Sequence, residues 1–312
     1  MVSKNANRRI QTVEELLRDR NSLWHILFKQ SKDGIVVLEQ NGKVFEANQQ
    51  FADMLGYSSE EIQLLSVWDW DKHFSKKEIL KRLRQIDHSG HYFETKQIKK
   101  DGTVIDVELS NSATLFNGKK LVFCICRDIT QRKLYEEEIY LLATTDTLTG
   151  LYNRREFLQR LNREMNFAKR YKTSFALIMY DLDDFKHIND DFGHLEGDNV
   201  LKVSAELVKE NIRTTDAPAR WGGEEFMVLM PQSDIDRARI VAEKLRRSIS
   251  AYKYHDVFSV TASFGVVAFL PEDDVNSLLK RVDRALYNAK KKGKNRVEAV
   301  EEWVEKQESA EA

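Results

Sequence analysis

The spacing of hydrophobic positions changes along the chain, and each change predicts a different kind of element. Between Gly34 and Thr130, short runs alternate apolar and polar residues: "GIVVLEQ", "KVFEAN", "ETKQIKK", "TVIDVELS", "NSATLF" and "KKLVFCICRDIT". Alternation of this kind predicts β-strands with one buried face. Asn41-Gly42, Asp101-Gly102 and Asn117-Gly118 fall between successive runs, which predicts type I′ hairpins. Two segments between the first and second hairpins, "ANQQFADMLG" and "SKKEILKRLRQID", carry helical spacing instead. A curved antiparallel sheet with helices over one face is expected.

In "QRKLYEEEIYLLATTDTLTG", Tyr135, Ile139 and Leu142 recur at i, i+4 and i+7, with Leu134 and Leu141 alongside. This is the stripe of a short amphipathic helix, which packs on its own chain or pairs with a copy of itself. From Asn153 onward helical and strand patterns alternate. "NRREFLQRLNREMNFAKRY", "GDNVLKVSAELVKENI", "DIDRARIVAEKLRRSIS" and "VNSLLKRVDRALYNAKKKG" read as helices. "SFALIMYD", "APARW", "EEFMVLM" and "FSVTASFGVVAFL" read as strands, the first with the continuous apolar run of a strand covered on both faces. An α+β domain with a central, mostly antiparallel sheet is expected.

Composition narrows the function. The 312 residues suffice for about two domains. Lys and Arg total 49 against 50 Asp and Glu, a formal net charge of −1, which argues against a nucleic-acid partner. No uncharged apolar run approaches the ~20 residues that span a bilayer. The stretch "MVSKNANRRIQTVEELLRDR" lacks the apolar core of a signal peptide. A cytoplasmic protein with no membrane span is expected. Cys124 and Cys126, two apart on a strand, should face one way as reduced core thiols.

Two strings carry candidate chemistry. In "ARWGGEEFMVLM", Gly222 and Gly223 separate two apolar runs and predict a reversal centred on the two glycines. Glu224 and Glu225 follow at once; on a regular strand they would face opposite sides. In "IMYDLDDFKHIND", an apolar strand ends in Asp181, followed by Asp183 and Asp184. Asp181 and the two glutamates at one sheet end would suit a hard cation, Mg²⁺ or Mn²⁺, shared with substrate phosphates. Lys186 and the run Lys290, Lys291, Lys292 and Lys294 would supply the charge a triphosphate needs. Taken alone, that run reads as a solvated helix end favoured by the helix dipole; combined with the acidic centre, nucleotide binding becomes the better account.

The strings "ANQQFADMLGYSSEEI", "KKDGTVIDVELS" and "RDITQRK", in that order over residues 22–132, resemble a PAS domain. The resemblance implies a sensory and dimerising module, with a ligand-free dimer scaffold equally open. Trp68, Trp70 and His73 are candidates to line a cavity there, and His73, His88 or His91 to ligate haem. The sequence does not name the PAS ligand. Residues 144–300 are similar to a GGDEF domain through "DTLTGLYNRREF", "DLDDFKHINDDFGHLEGDNVL", "RTTDAPARWGGEEF", "VTASFGV" and "RVDRALYNAKKKGKNRV". That resemblance implies a palm-like sheet and the condensation of two GTP into cyclic di-GMP with loss of two pyrophosphates. It implies two Mg²⁺ (or Mn²⁺) per site and opposed sites in a homodimer joined through PAS and linker helix.

Residue roles follow from the GGDEF resemblance. Asp181, the Leu182 carbonyl, Glu224 and Glu225 would hold metal, with Glu224 also a candidate general base and Glu225 beside it. Asn189 and Asp198 would read guanine, with Phe185 near the pocket; His194 could line it, with a capping or structural role in "FGHLEGD" equally open. Lys186, Lys290 and Lys294 would contact phosphates; Lys294 stands where arginine is more usual. Gly222 and Gly223 would let the backbone approach the nucleotide. Arg213 and Asp216 of "RTTD" match an inhibitory product site, with Lys244 the partner on the following helix; a plain i, i+3 helix pair is the other reading. The expected division is an N-terminal helix (1–21), a PAS sensor (22–130), a signalling helix (131–146), a GGDEF domain (147–300) and an acidic tail (301–312). The alternative function is a catalytically silent receptor for GTP or cyclic di-GMP.

Overall fold

A computed structural model describes residues 25–254 and 258–300. The expected N-terminal helix and acidic tail lie outside these residues. The chain divides into two units, residues 1–137 and 138–312.

The first unit is an antiparallel sheet of five strands in the order β2-β1-β5-β4-β3. Its strands are β1 (Gly34–Glu39), β2 (Val44–Ala47), β3 (His91–Ile98), β4 (Val104–Phe116) and β5 (Lys119–Asp128). Between β2 and β3 run α1 (Gln49–Leu55), α2 (Ser59–Gln63), α3 (Val67–Trp70) and α4 (Lys76–Gln85). Ser58 and Ser75 begin α2 and α4 with capping boxes closed by Glu61 and Glu78. Buried Asn48 caps α1, and its Oδ1 also accepts the Ile35 N–H at 2.8 Å, so one side chain ties helix to sheet.

The three hairpins form where the turn pairs lie, but only one has the expected type. Asn117 and Gly118 both have positive φ, as type I′ requires. At the other two turns only Gly42 and Gly102 do. There Glu39 N–H bonds Lys43 O and Lys99 N–H bonds Thr103 O, which makes three-residue loops closed by a glycine bulge.

The inward face of the sheet packs Val36, Val107 and Val122 on Phe51, Leu55 and Ile62 from the helices. Cys124 and Cys126 point into this core as free thiols, and burial pushes the Cys124 thiol up to about 12. A cavity of about 70 Å³ remains between sheet and helices. Trp70 lines it; Trp68 and His73 do not. His73, His88 and His91 are exposed and outside the cavity, which is also far smaller than a porphyrin, so haem does not fit.

Helix α5 (Thr130–Thr144) follows. Arg132 and Lys133 in its first turn pair with Glu94, Glu108 and Asp106 of β3 and β4. Tyr135, Ile139 and Leu142 are 59%, 65% and 57% exposed, so among the described residues nothing covers the stripe.

The second unit is a sheet of six strands in the order β11-β10-β7-β9-β8-β6. These are β6 (Tyr152–Asn153), β7 (Phe175–Leu182), β8 (Ala217–Gly222), β9 (Glu225–Pro231), β10 (Ala262–Ala268) and β11 (Val297–Val300). The central pairings are antiparallel and the two outermost are parallel. Its helices are α6 (Arg154–Tyr171), α7 (Phe185–Phe192), α8 (His194–Asn211), α9 (Ile235–Ala251) and α10 (Val275–Lys291). Every residue of β7 is buried because helices cover both faces. Ile178 and Tyr180 join a core with α8 and α9, while Leu177 and Met179 join one with α6 and α10. Tyr180 stacks between Phe226 and Phe264 of the flanking strands, with ring centroids 4.8 and 4.9 Å away. Among the described residues no helix is long and apolar enough to cross a membrane.

Candidate functional site

The buried strand β7 delivers Asp181 to the end of the sheet, where the β8–β9 hairpin turns beside it. Asp181 stands opposite Glu225 on β9 and Ser263 on β10. The next residue, Leu182, donates its N–H to Glu224 O at 3.4 Å. Asp181 is buried, and Lys290 from the last turn of α10 reaches its Oδ2 at 2.8 Å. Burial pushes the Asp181 carboxyl up to about 6; Lys290 opposes the rise, and Glu224 and Glu225 add to it. Burial raises the Glu225 carboxyl as well.

The hairpin is shifted by one residue from the expected centre. Gly222 pairs with Glu225, so the two turn residues are Gly223 and Glu224, after an irregularity between Arg220 and Gly222. Only Gly223 has positive φ, at 45°. Glu224 therefore belongs to the turn and Glu225 to the strand, which removes the strict up-and-down relation of two strand residues.

Arg220 braces this turn. Its Nε donates to Gly223 O at 2.9 Å, and its Nη1 reaches the two Asp146 oxygens at 3.2 and 3.3 Å. Asp146 also accepts from Thr149 N and Oγ1. Asn153 donates to Ala143 O at 3.0 Å and Thr145 O at 3.4 Å at the end of α5, and caps α6 through Glu156 N–H. Sequence reasoning assigns no role to Asp146 or Arg220, although the strings "DTLTGLYN" and "ARWGG" contain them, and reads Asn153 only as suiting a stop after the linker helix.

The sequence gives Asp183 no role of its own either. It is buried, and accepts from Thr261 Oγ1 at 2.7 Å, Ser263 Oγ at 2.7 Å and Asn295 N–H at 3.1 Å. The segment it holds carries Lys294 and Asn295, both left-handed, at φ 61° and 45°. Lys294 Nζ in turn pairs with Asp184 Oδ1 at 2.5 Å. The only hint in the sequence is its position two residues after Asp181.

Beside this rim lie α7 and α8. Gly197, in the first turns of α8, lets the Asn189 side chain lie against its backbone: a Cβ there would meet Asn189 Oδ1 at 2.0 Å. Asp198 follows, exposed, and Phe185 is buried beneath. His194 is exposed at the start of α8, and Lys186 is exposed in the first turn of α7.

The "RTTD" segment is a turn ahead of β8, outside any helix, which removes the helix-pair reading. Arg213 N–H donates to Asp216 Oδ2 at 3.0 Å, and Asp216 N–H returns to Arg213 O at 3.0 Å. Asp216 is buried and Arg213 exposed. Lys244 is exposed on α9, lining a shallow groove with Arg239, Glu243 and Arg247.

Among the described residues no three His, Cys, Asp or Glu side chains converge to hold an ion alone. Asp181, the Leu182 carbonyl and Glu224 offer oxygen donors only. Such a partial set fits Mg²⁺, which takes its remaining ligands from water and phosphate.

Comparison with known proteins agrees with this architecture. A signature described as diguanylate cyclase, GGDEF domain, matches residues 143–296, and one for a PAS domain matches residues 32–131. Diguanylate cyclase DgcM of Escherichia coli is 33% identical over 261 residues, 83% of this chain and 63% of that protein. Diguanylate cyclase VdcA of Vibrio cholerae is 32% identical over 253 residues, 79% of this chain and 67% of its own. The chain thus spans less than two thirds of DgcM. A crystal structure of the coiled coil and GGDEF domain of DgcB from Caulobacter crescentus, in complex with c-di-GMP, aligns with a TM-score of 0.53 at 30% identity, covering 55% of this chain and 93% of that one. With a PAS domain followed by a GGDEF domain in an α+β fold, the chain belongs to the GGDEF diguanylate cyclase family.

Proposed function

We propose that this protein is a cytoplasmic diguanylate cyclase that condenses two GTP into cyclic di-GMP and two pyrophosphates across a homodimer. The observation that carries the reading is Asp181: a carboxylate buried at the end of an apolar strand, opposite Glu225, beside the Glu224 turn and against Lys290. Packing alone gives no reason to gather these charges. Binding and neutralising a triphosphate does.

Asn189 and Asp198 take the guanine, the amide oxygen and carboxylate accepting its N–H groups. Lys290 moves from Asp181 to the phosphates when the acid is otherwise engaged, and Lys186 and Lys294 add charge along the chain of phosphates. Divalent cations, two per site, when bound to Asp181, Leu182 O, Glu224 and Glu225, supply charge stabilisation for the triphosphate and the departing pyrophosphate. Glu224 takes the proton of the ribose 3′-hydroxyl. The 3′-oxygen of one GTP then bonds to the α-phosphorus of the other as the bond to pyrophosphate breaks, and the reciprocal step closes the ring. Gly223 and Arg220 hold the turn on which Glu224 rides.

Each site holds one GTP, so two copies must face each other. The exposed face of α5, with Ile139 and Leu142, supports pairing of linker helices over residues 131–146, between a sensor over 22–130 and a catalytic domain over 147–300. Product bound at Arg213 and Asp216, with Lys244 as the further cation, would inhibit turnover. The intact Asp181, Glu224 and Glu225 favour an enzyme over a silent receptor.

The test is incubation of the 312-residue chain with GTP and Mg²⁺ and identification of the product by mass. Cyclic di-GMP and pyrophosphate in a 1:2 ratio are expected. A cyclic mononucleotide, or GTP bound and recovered unchanged, would reject the reading.

A further inference from the structure

Lys290 and Lys294, the lysines proposed to meet the phosphates, both rest on carboxylates of the chain. The first pair joins Lys290 to Asp181 and belongs to the proposed metal centre. The second joins Lys294 Nζ to Asp184 Oδ1 at 2.5 Å, and Asp184 is no part of that centre. Its local position offers it a different bond. Asp184 is the N-cap residue of α7, where an aspartate ordinarily accepts a backbone N–H of the first turn. It makes no such bond, its backbone is left-handed at φ 56°, and its side chain instead crosses 110 positions of sequence to Lys294. The far end is equally set. Lys294 has φ 61°, and the next residue, Asn295, has φ 45° and donates its N–H to the buried Asp183 at 3.1 Å. Asp183 directly precedes Asp184, and its own N–H donates to Thr261 O at 2.8 Å. One buried residue thus fixes the backbone beside both ends of the pair, in conformations that residues other than glycine rarely take. This is not a chance meeting of two long surface chains.

We propose that Asp184 competes with the substrate's phosphates for Lys294, and so limits how tightly the site holds GTP and the pyrophosphate it releases. The competition rests on the cyclase reading, which places Lys294 against a phosphate. A carboxylate oxygen 2.5 Å from the ammonium stands where a phosphate oxygen would stand to make the same contact. When the phosphate enters, Asp184 either gives up its partner or stays beside a second anion, and both lower the affinity. The Lys294 and Asp184 side chains are 43% and 56% exposed, so the carboxylate can turn into water, and the effect is several-fold rather than many orders of magnitude. The cations that hold a triphosphate also hold pyrophosphate once it has formed. A carboxylate of the chain that reclaims Lys294 loosens this product without involving the acids of the reacting centre.

The test is titration calorimetry on the 312-residue chain with two probes, each with Mg²⁺: 3′-deoxy-GTP, which lacks the attacking hydroxyl, and pyrophosphate. Asp184→Asn removes the charge, and asparagine tolerates a left-handed backbone as aspartate does. Both probes should bind this variant ~5-fold more tightly than wild type. Asp184→Gly, which takes the same φ without a side chain, should repeat the gain. In a Lys294→Gln background, Asp184→Asn should change either affinity by less than about 2-fold, because the contested ammonium is gone. Unchanged or weaker binding by both Asp184 variants would overturn the proposal. So would an equal gain with and without Lys294, which would make Asp184 a source of general repulsion and not a competitor. Failure of wild type and variants alike to bind 3′-deoxy-GTP would overturn the cyclase reading together with the proposal. Binding by wild type that neither Asp184 variant improves would refute the proposal alone.

Discussion

The rim of the second sheet and the inward face of the first treat buried polar groups in opposite ways. Asp183 is buried, yet its two oxygens meet three donors from β10, the residue before it and the loop after α10. Gln97 and Asn111 are equally enclosed and leave their oxygens unmet. Asp181 is intermediate, paired with a lysine but pushed toward neutrality by burial. The contrast separates three uses of a buried polar atom. With all partners supplied by the chain it fastens structure. With one partner that is itself half-exposed it can exchange that partner. With none it carries a desolvation cost that nothing in the chain offsets.

The largest expected effect tests the poised region. Glu224→Gln should lower cyclic di-GMP synthesis by ~10³-fold, the order expected for loss of a general base, while circular dichroism stays unchanged. Activity within tenfold of wild type would show that Glu224 is not the base. Next, Asp183→Ala should lower stability by ~3 kcal/mol, because Thr261, Ser263 and the Asn295 N–H lose a charged acceptor. The denaturant midpoint measures it. Gln97→Met, which also deletes a buried polar group, should move stability the other way, and equal signs for the two would break the comparison.

A smaller effect concerns the brace. Arg220→Lys keeps the charge but loses the fork that joins Asp146 to Gly223 O, and should lower kcat by ~10-fold with little change in KM. A purely structural bond would shift the unfolding midpoint and leave the kcat-to-KM split untouched. The smallest effect is a pH slope. The folded Asp181 carboxyl titrates at about 6, above its ordinary value near 4. Between those values the folded protein keeps a proton that the unfolded chain has lost, so this group's contribution to stability declines as pH rises through the window. Wild type should lose ~1 kcal/mol relative to Asp181→Asn between pH 5 and pH 7, read from urea midpoints. The same ionisation should make Mg²⁺–GTP bind better as pH rises through about 6.

What the sequence disclosed follows the range of the interactions. Strand β7 was legible because covering both faces leaves an unbroken apolar run, and the hairpins because Asn-Gly and Asp-Gly pairs sit between alternating segments. Their turn types were not, since Asn41 and Asn117 precede glycine alike and only Asn117 takes positive φ. Asp181 and Glu224 were legible as acids at the ends of apolar strands. The Asp183 bonds join residues 78 to 112 positions apart, and nothing local marks them. Arg220 and Asp146, 74 apart, were hidden for the same reason. The unmet oxygens of Gln97 and Asn111 were beyond reach, because alternation marks an inward position but not what faces it.

The adjacent glycines of the β8–β9 turn are alike as letters and unlike as constraints. Gly223 has φ 45°, a conformation that strains any side chain, so the hairpin itself demands glycine there. Gly222 has no such φ, pairs as an ordinary strand residue, and a Cβ on it would meet no atom of the protein within 4 Å. An alanine at 223 is therefore an injury to the chain's own architecture, visible in the empty protein. An alanine at 222 would be silent in the fold and would matter only to a molecule that occupied the same space, so the hairpin by itself demands one glycine of the two.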